Sequence, residues 1–441
     1  MRLPAPLLLL LGGVVVAAML TWILPAGQFD RRDDAATGRR VVAAGTYHRV
    51  DRSPVGPFGA AVAVARGFVA AADVIAVVLF VGGAWIVVDK LGALEGVTSD
   101  LLRLLGSRGL LTIPIISIFF ATMGALENMQ EEIIPLVPAL LVLGRAIGVD
   151  PVTVIAMSGG AAMIGSAFGP TNPFQAGIAL KLAQVPPLEA GGLRLAMFIV
   201  AVGLWIAWTM VHAMRNRQST NPQSIRNPQS SIRNDVVLAV ALLPMAAYVY
   251  GTLKFDWGFN ELAGAFLIGG IAAGLIGGYG VMETLAVFVE GMQALLPAAL
   301  LIGVARAISL TLEDGRVVDT ILNSFAAWLG HVPPVASAYL MIPVHSIIHV
   351  LVPSVSGHAV LTMPVMVPLA DLLHLPRIVA VLAYTIGGGL LGECLSPTNG
   401  ALLALLAAAG VPFNKWVRFA VGGLALTAAI GMIAIAILSI A

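Results

Sequence analysis

The sequence predicts an all-α polytopic membrane protein, an inverted-repeat transporter with about nine transmembrane helices, two re-entrant hairpins and two broken helices. Three observations predict it. Hydrophobic residues make up 59% of the chain and charged residues 11%, with a mean hydropathy of +0.95, whereas a soluble domain carries about 25% charged residues. The apolar runs have the ~20-residue length that crosses a bilayer. One polar phrase also occurs twice, as Gly169-Pro170-Thr171-Asn172-Pro173 and as Ser396-Pro397-Thr398-Asn399-Gly400, 227 residues apart. Proline removes a backbone donor, and Asn and Thr compete with the helix for its hydrogen bonds. Each phrase therefore breaks a helix, and in lipid a broken helix survives only inside protein or along a cavity.

Residues 1–58 read as a first transmembrane helix, about 7–25, and an extracytoplasmic loop too polar to insert. A signal peptide is the competing reading, but the run is long for one and Pro25-Ala26-Gly27-Gln28 is a weak cleavage site. Residues 59–213 form the first repeat. It opens with a span over 60–88 and a charged loop over 89–109. A re-entrant hairpin follows at 110–144, then a broken helix at 150–181 and a span at 193–213. The second hairpin arm, 133–144, is too short to cross about 30 Å as a helix.

Residues 214–235 contain a near-duplicate, Asn221-Pro222-Gln223-Ser224-Ile225-Arg226 and Asn227-Pro228-Gln229-Ser230-Ser231-Ile232-Arg233. Such a polar, arginine-bearing segment reads as a disordered cytoplasmic linker. Residues 236–441 form the second repeat with an extra helix. Its spans fall at 236–253, 260–280 and 287–312, its hairpin at 334–374, its broken helix at 377–408 and its last span at 416–440. With the N-terminus and linker in the cytoplasm, the two hairpins enter from opposite sides. This is the crossing pattern of inverted repeats.

The candidate chemistry lies at the hairpin tips and the breaks. The first tip carries Glu127, Asn128, Gln130, Glu131 and Glu132 between apolar arms. A carboxylate at mid-membrane costs about 2.5–3.5 kcal/mol, so several together need a purpose: cation coordination, proton transfer or a charged substrate. The bland alternative is an extramembrane turn between two short spans. At the breaks, Ser166, Gly169, Thr171 and Asn172, and Ser396, Thr398 and Asn399, offer oxygens for Na⁺ and N–H groups for a carboxylate; two Pro kinks that only shape packing are the alternative. Charge recognition is expected near Thr171 and hydroxyl or carbonyl coordination near Thr398.

The second tip offers Ser354, Ser356, Gly357 and His358, the last as a proton carrier or a tip hydrogen bond. His345 and His349, four residues apart, read as a hydrogen-bonded pair rather than a zinc site, since no third ligand is placed. Glu393 is an ion or substrate ligand, or a structural partner of Arg306. Asp73 is a site residue or a solvated span end. No catalytic residue, metal site or cofactor is expected, beyond Na⁺ or H⁺ as a coupling ion. Ser356-Gly357-His358 raises an intramembrane serine protease as the alternative of another class, and a channel is a further one. Neither needs an inverted repeat.

Four stretches carry a family resemblance: Thr21-Trp22-Ile23-Leu24-Pro25-Ala26-Gly27, Gly45-Thr46-Tyr47-His48-Arg49-Val50, Gly124-Ala125-Leu126-Glu127-Asn128-Met129-Gln130-Glu131-Glu132, and the first Pro-Thr-Asn phrase. With them the chain resembles, over nearly its whole length, the YfcC group of the anaerobic C4-dicarboxylate carriers in the ion transporter superfamily. The resemblance implies a dimeric secondary transporter of the plasma membrane, with a scaffold, a moving transport domain, and ions or substrate at the tips and breaks. It also implies a basic amino acid as substrate, by antiport or ion-coupled transport with elevator-type alternating access. An H⁺- or Na⁺-coupled C4-dicarboxylate carrier is the runner-up. The first tip here is Glu-Asn-Met in place of the dicarboxylate members' Ser-Asn-Thr. The partners expected are a small-molecule substrate, the lipid bilayer and a second copy of the chain, with no nucleic acid.

Overall fold

The computed structural model describes residues 4–34, 39–43, 45–93, 106–170, 172, 174–187, 189–217 and 259–440, with scattered positions between 236 and 257. Thr171 and Pro173, residues 218–235 of the expected linker and much of the span expected at 236–253 lie outside the described residues. The side chain of Glu127 lies outside them too.

In the first half, α1 is Pro4–Ile23, α2 Pro57–Ala70, α3 Ala72–Lys90, α4 Thr112–Glu127 and α5 Val137–Ile147. The first broken helix consists of α6 Pro151–Ile155, a π-helical stretch Ala156–Gly160, α7 Ala161–Phe168 and, past the break, α8 Ala176–Ala183. Then comes α9, Gly191–Arg215. The second half has α10 Phe259–Ile276, α11 Val281–Asp314, α12 Val318–Leu329, α13 Pro334–Leu351 and α14 Val355–Leu372. Its broken helix is α15 Arg377–Tyr384, a π-helical stretch Thr385–Gly392, α16 Glu393–Leu395 and α17 Gly400–Ala408. The last helix, α18, is Phe413–Ile440. Between α1 and α2 two short antiparallel ladders pair Gly27–Gln28 with His48–Arg49, and Arg31–Asp34 with Arg39–Val42.

Among the described residues ten helices are long and apolar enough to cross a membrane. Both arms of the second expected hairpin, α13 and α14, pass that test, whereas α5 in the first is shorter. The single span expected over 60–88 is a correction: α2 and α3 run end to end and part at Ala71, whose backbone still donates to Gly67 O at 3.1 Å.

Lipid-facing and interior helices differ sharply. Only 22% of α9 is buried, but 94% of Pro151–Phe168 and 89% of Arg377–Ala408 are. Among the described candidate spans the broken helices are thus the most enclosed, which is where irregular backbone is tolerated. The exposed Ile199 and Val200 on α9 and Ile433 and Ile437 on α18 face the apolar medium. Both π-helical stretches fall in the glycine-rich runs before the breaks, and a π bulge is a frequent mark of a functional site.

Close approach sets the packing. A Cβ on Gly165 would run into the carbonyl of Ala121, and one on Gly124 into that of Ala162. Glycine therefore lets α4 lie backbone to backbone on α7, as small residues do between membrane helices. The long helix α11 approaches α2 and α3 the same way. Gly67 faces Gly303 and Ala307, Gly82 faces Gly291 and Leu295, and Gly83 faces Phe288. Contact numbers fall on one helix as they rise on the other, so these repeat-related segments run antiparallel.

Candidate functional site

Both breaks use one device. Asn172 Oδ1 accepts the backbone N–H groups of Phe174 and Gln175 at 2.9 and 2.8 Å, and Asn399 Oδ1 accepts that of Leu402 at 3.1 Å. Asn399 thereby caps α17, and Asn172 closes the turn that leads into α8, whose own N-cap is Gln175. Each also reaches back six residues: Asn172 Nδ2 to Ser166 O at 3.5 Å, and Asn399 Nδ2 to Glu393 O at 3.0 Å. Carbonyls of each broken helix also meet an indole from the helix that follows it. Trp205 Nε1 donates to Ala156 O, and Trp416 Nε1 to Cys394 O, both at 2.8 Å. The local sequence breaks the helix, and at the second break the Trp416 indole supplies a tertiary donor to a carbonyl beside it, as buried backbone requires.

The chemistry at the two breaks is unlike. At the first, Asn172 Nδ2 also donates to Gly124 O at 3.0 Å and to Asn128 Oδ1 at 3.2 Å, and Ser166 Oγ donates to Gly124 O at 3.0 Å. Asn128 ends α4 in the left-handed region, φ 57°. The buried guanidinium of Arg194, on α9, donates to Pro170 O at 2.7 Å and Pro187 O at 2.9 Å. At the second break the repeat mate of Ser166 is Glu393. It accepts from Asn399 Nδ2 at 2.6 Å and lies 3.2 Å from His349 Nε2. Ser396 Oγ and Thr398 Oγ1 are 2.7 Å apart, and Thr398 Oγ1 donates to Val350 O at 2.7 Å. The second break thus holds the Ser396 and Thr398 hydroxyls and, beside them, the buried Glu393 carboxyl, while a guanidinium supports the first.

A cavity of about 780 Å³ gathers the two tips and the second break. Among the expected site residues it is lined by Asn128, Gln130, Glu131, Ser354, Ser356, Glu393, Thr398 and Asn399. Asn172 stands one hydrogen bond behind Asn128, with Ser166 and Gly169 bonded to Asn172 in turn, and Ser396 stands behind Thr398. Gly357 lines a neighbouring cavity of about 400 Å³ that shares Arg306 and Ser354 with the first. The lining also includes Asp73, Glu132 and Arg306. Asp73 is thus a wall residue, in the first turn of α3.

Three expected pairings are corrected. Glu393 does not pair with Arg306, whose guanidinium lies 4.0 Å from Glu313 instead. His345 and His349 do not bond to each other; His345 Nδ1 meets His358 Nε2 at 2.9 Å. His358 is not on the turn but inside α14, fully buried. Among the described residues no group of three His, Cys, Asp or Glu side chains is placed to hold a metal ion. Sequence reasoning missed Arg194 and gave Arg306 only a structural role. Arg306 did carry a signal, as an arginine deep in a 34-residue apolar helix.

Outside the spans, Asp150 caps α6 by accepting from Thr153 N at 3.0 Å and Thr153 Oγ1 at 2.7 Å. His212 and Lys415 stand 3.5 and 3.6 Å away. Burial alone would push this carboxyl up, but the hydrogen bonds from His212 and Thr153 outweigh it and hold it well below the usual carboxylate range.

A family model described as C4-dicarboxylate anaerobic carrier matches residues 3–440. A relative in Escherichia coli (strain K12), provisionally named basic amino acid antiporter YfcC, is 28% identical over 94% of this chain and 92% of its own. An uncharacterised protein of Haemophilus influenzae is 27% identical over 85% of this chain and 77% of its own. Two solved transporters share the chain's extent. The YdaH transporter of Alcanivorax borkumensis is 16% identical, with 98% of each chain covered and a TM-score of 0.43. MtrF of Neisseria gonorrhoeae, assigned to a class of antimetabolite efflux pumps, is 17% identical, with 100% and 96% covered and a TM-score of 0.43.

Proposed function

The chain belongs to the C4-dicarboxylate anaerobic carrier family and is a multi-pass membrane transporter, and from that premise we propose that it carries amino acids, basic ones included, across a bacterial inner membrane. The single observation behind this substrate class is the charge inventory of the large cavity. Asp73, Glu131, Glu132 and Glu393 line it together with one guanidinium, Arg306. An amino acid with a cationic side chain brings two positive ends and one carboxylate, which suits such walls. A dianion would bring two carboxylates to a wall with a single cation. Hydroxyls of Ser354, Ser356 and Thr398 complete the polar lining.

The mechanism proposed is secondary transport, by antiport or ion coupling, with the block of broken helices moving against the α3–α11 block. Antiparallel packing of α3 and α11 and the two matched breaks support inverted repeats and elevator-type alternating access. The proposal places the N-terminus and central linker in the cytoplasm, pairs the chain as a homodimer, and takes Na⁺ or H⁺ as the coupling ion. Against the protease alternative stands the pairing of His358 with His345 rather than with Ser356.

Counterflow in proteoliposomes tests this. Labelled arginine and ornithine should exchange against unlabelled pools. Exchange of succinate alone would replace the reading by a dicarboxylate carrier, and no exchange of any of the three would end it. Arg306→Gln should impair arginine exchange but spare competition by agmatine, which lacks the carboxylate; equal loss for both would remove Arg306 from carboxylate recognition.

A further inference from the structure

Behind the cavity wall three imidazoles are buried together. His345 and His349 sit one turn apart on α13, and His358 sits in the first turns of α14; none is more than 1% exposed. The row begins at Glu393, which lines the cavity, with its Oε1 3.2 Å from His349 Nε2. The rings of His349 and His358 have centroids 5.7 Å apart, and His358 Nε2 lies 2.9 Å from His345 Nδ1. The π-helical stretch Thr385–Gly392 is shaped to this row. A Cβ on Gly388 would meet the His358 ring at 2.9 Å, and one on Gly392 would meet the His349 ring at 2.6 Å, while one on Gly387 would run into the carbonyl of Ile342 and the Cβ of His345. Two glycines of one segment thus make room for two imidazoles, and a third lets the α13 backbone lie close.

Packing alone does not explain the row. Apolar side chains would fill the same space without cost, whereas His345 Nε2, both nitrogens of His349 and His358 Nδ1 are buried with no hydrogen-bond partner, the approach of His349 Nε2 to Glu393 being an ion-pair distance only. Each such nitrogen has given up water without gaining a bond, which is destabilising. Imidazole is the side chain that takes up and releases a proton near neutral pH. The charged and titratable neighbours are few. Tyr384 on α15 packs edge-on against His345 and His358, and its hydroxyl donates to Val355 O at 2.7 Å. Glu131 and Arg306 face Glu393 across the cavity, and Cys394 turns away to Met163 Sδ at 3.7 Å. Charges on the other packed helices are engaged elsewhere or exposed: Asp319 with Arg31, Lys415 with Asp150, Asp371 with Arg377, and Lys181 at the surface.

We propose that the row Glu393–His349–His358–His345 is the proton-coupling site of this carrier. The proposal rests on the transporter reading above and names its coupling ion. When the carboxylic acid of Glu393 gives its proton to the Nε2 lone pair of His349, one O–H bond breaks and one N–H bond forms. Glu393 then presents a carboxylate to the cavity, where a cationic substrate can bind; with the proton back on Glu393 that attraction is gone. Proton and substrate thus compete for one carboxyl, the linkage an antiporter needs.

Infrared difference spectra of the full-length protein in lipid, titrated with pH and without substrate, test the site directly. Glu393→Gln should remove a protonated-carboxyl band, and His349→Gln should move the midpoint of that band by about one pH unit or more, a tenfold change in proton affinity. A spectrum unchanged by E393Q, or a midpoint unmoved in H349Q, overturns the proposal. Should H349Q fail to fold, Glu393→Asp, which draws the carboxyl back from His349, provides the same comparison. In proteoliposomes a pH gradient should accelerate arginine uptake by the wild type and not by H349Q; acceleration preserved in H349Q also overturns it. Absence of arginine movement in the wild type alongside the expected spectra would sink the substrate assignment and leave the proton site standing.

Discussion

Asn399 holds the second break by two separable bonds, and the pair Asn399→Ala and Asn399→Asp tells them apart. Its Oδ1 caps α17 through Leu402 N–H, and its Nδ2 donates at 2.6 Å to the Glu393 carboxylate. Alanine removes both. Loss of a cap costs about 1 kcal/mol, and a buried acceptor left short of a donor costs about 1–3 kcal/mol, so N399A should lose roughly 2–4 kcal/mol. Aspartate keeps the capping oxygen but puts a second carboxyl where the donor stood. At pH 8 N399D should therefore be at least as destabilised as N399A. At pH 5 it should recover part of the loss, because a proton on one carboxyl restores an O–H donor to the other. The measurement is thermal unfolding of the purified protein in detergent at both pH values. If N399D melts with the wild type at pH 8, the cap alone holds the break and the Asn399–Glu393 bond contributes nothing.

Other expectations can be checked alongside. Glu131→Gln removes a carboxylate from the cavity wall and should abolish counterflow of arginine while leaving the elution profile of the protein unchanged; wild-type exchange would take the first tip out of the site. Gly392→Ala puts a methyl against the His349 ring and should cost about 1–3 kcal/mol, as overpacking does, read as a lower melting temperature; no change would mean that α13 can retreat. Asp150 is held below its ordinary pKa, so its contribution is complete above about pH 4 and fades as pH falls below that. Wild-type stability should fall there, while Asp150→Asn, which keeps a capping oxygen, should lack that share of the loss; identical acid profiles would refute the assignment. Asp150→Ala should cost about 1 kcal/mol more than D150N at pH 7, through the lost cap.

The sequence carried the class of the protein, its two helix breaks and its polar tips. Apolar runs of span length, Pro170 and Pro397, and Glu131 between apolar arms act through local chemistry, so their consequences are legible in order along the chain. The π-helical stretches before each break were hidden, because glycine-rich runs permit such a turn without requiring it. Arg194 and the Trp205 and Trp416 indoles were hidden too, since nothing near them in sequence says which freed carbonyl they will meet.

The Pro-Thr-Asn phrase, its repetition at half the chain length and the local hydrogen bonding of each Asn side chain were thus determined by sequence alone. A proline cannot donate, and a side chain two or three residues from a free N–H needs no distant partner to reach it. Tertiary packing decided which break faces the large cavity, that Glu393 meets His349 rather than Arg306, and that His358 turns inward to His345. Those contacts join residues on different helices, and their geometry depends on how glycine faces such as Gly387, Gly388 and Gly392 let the helices approach.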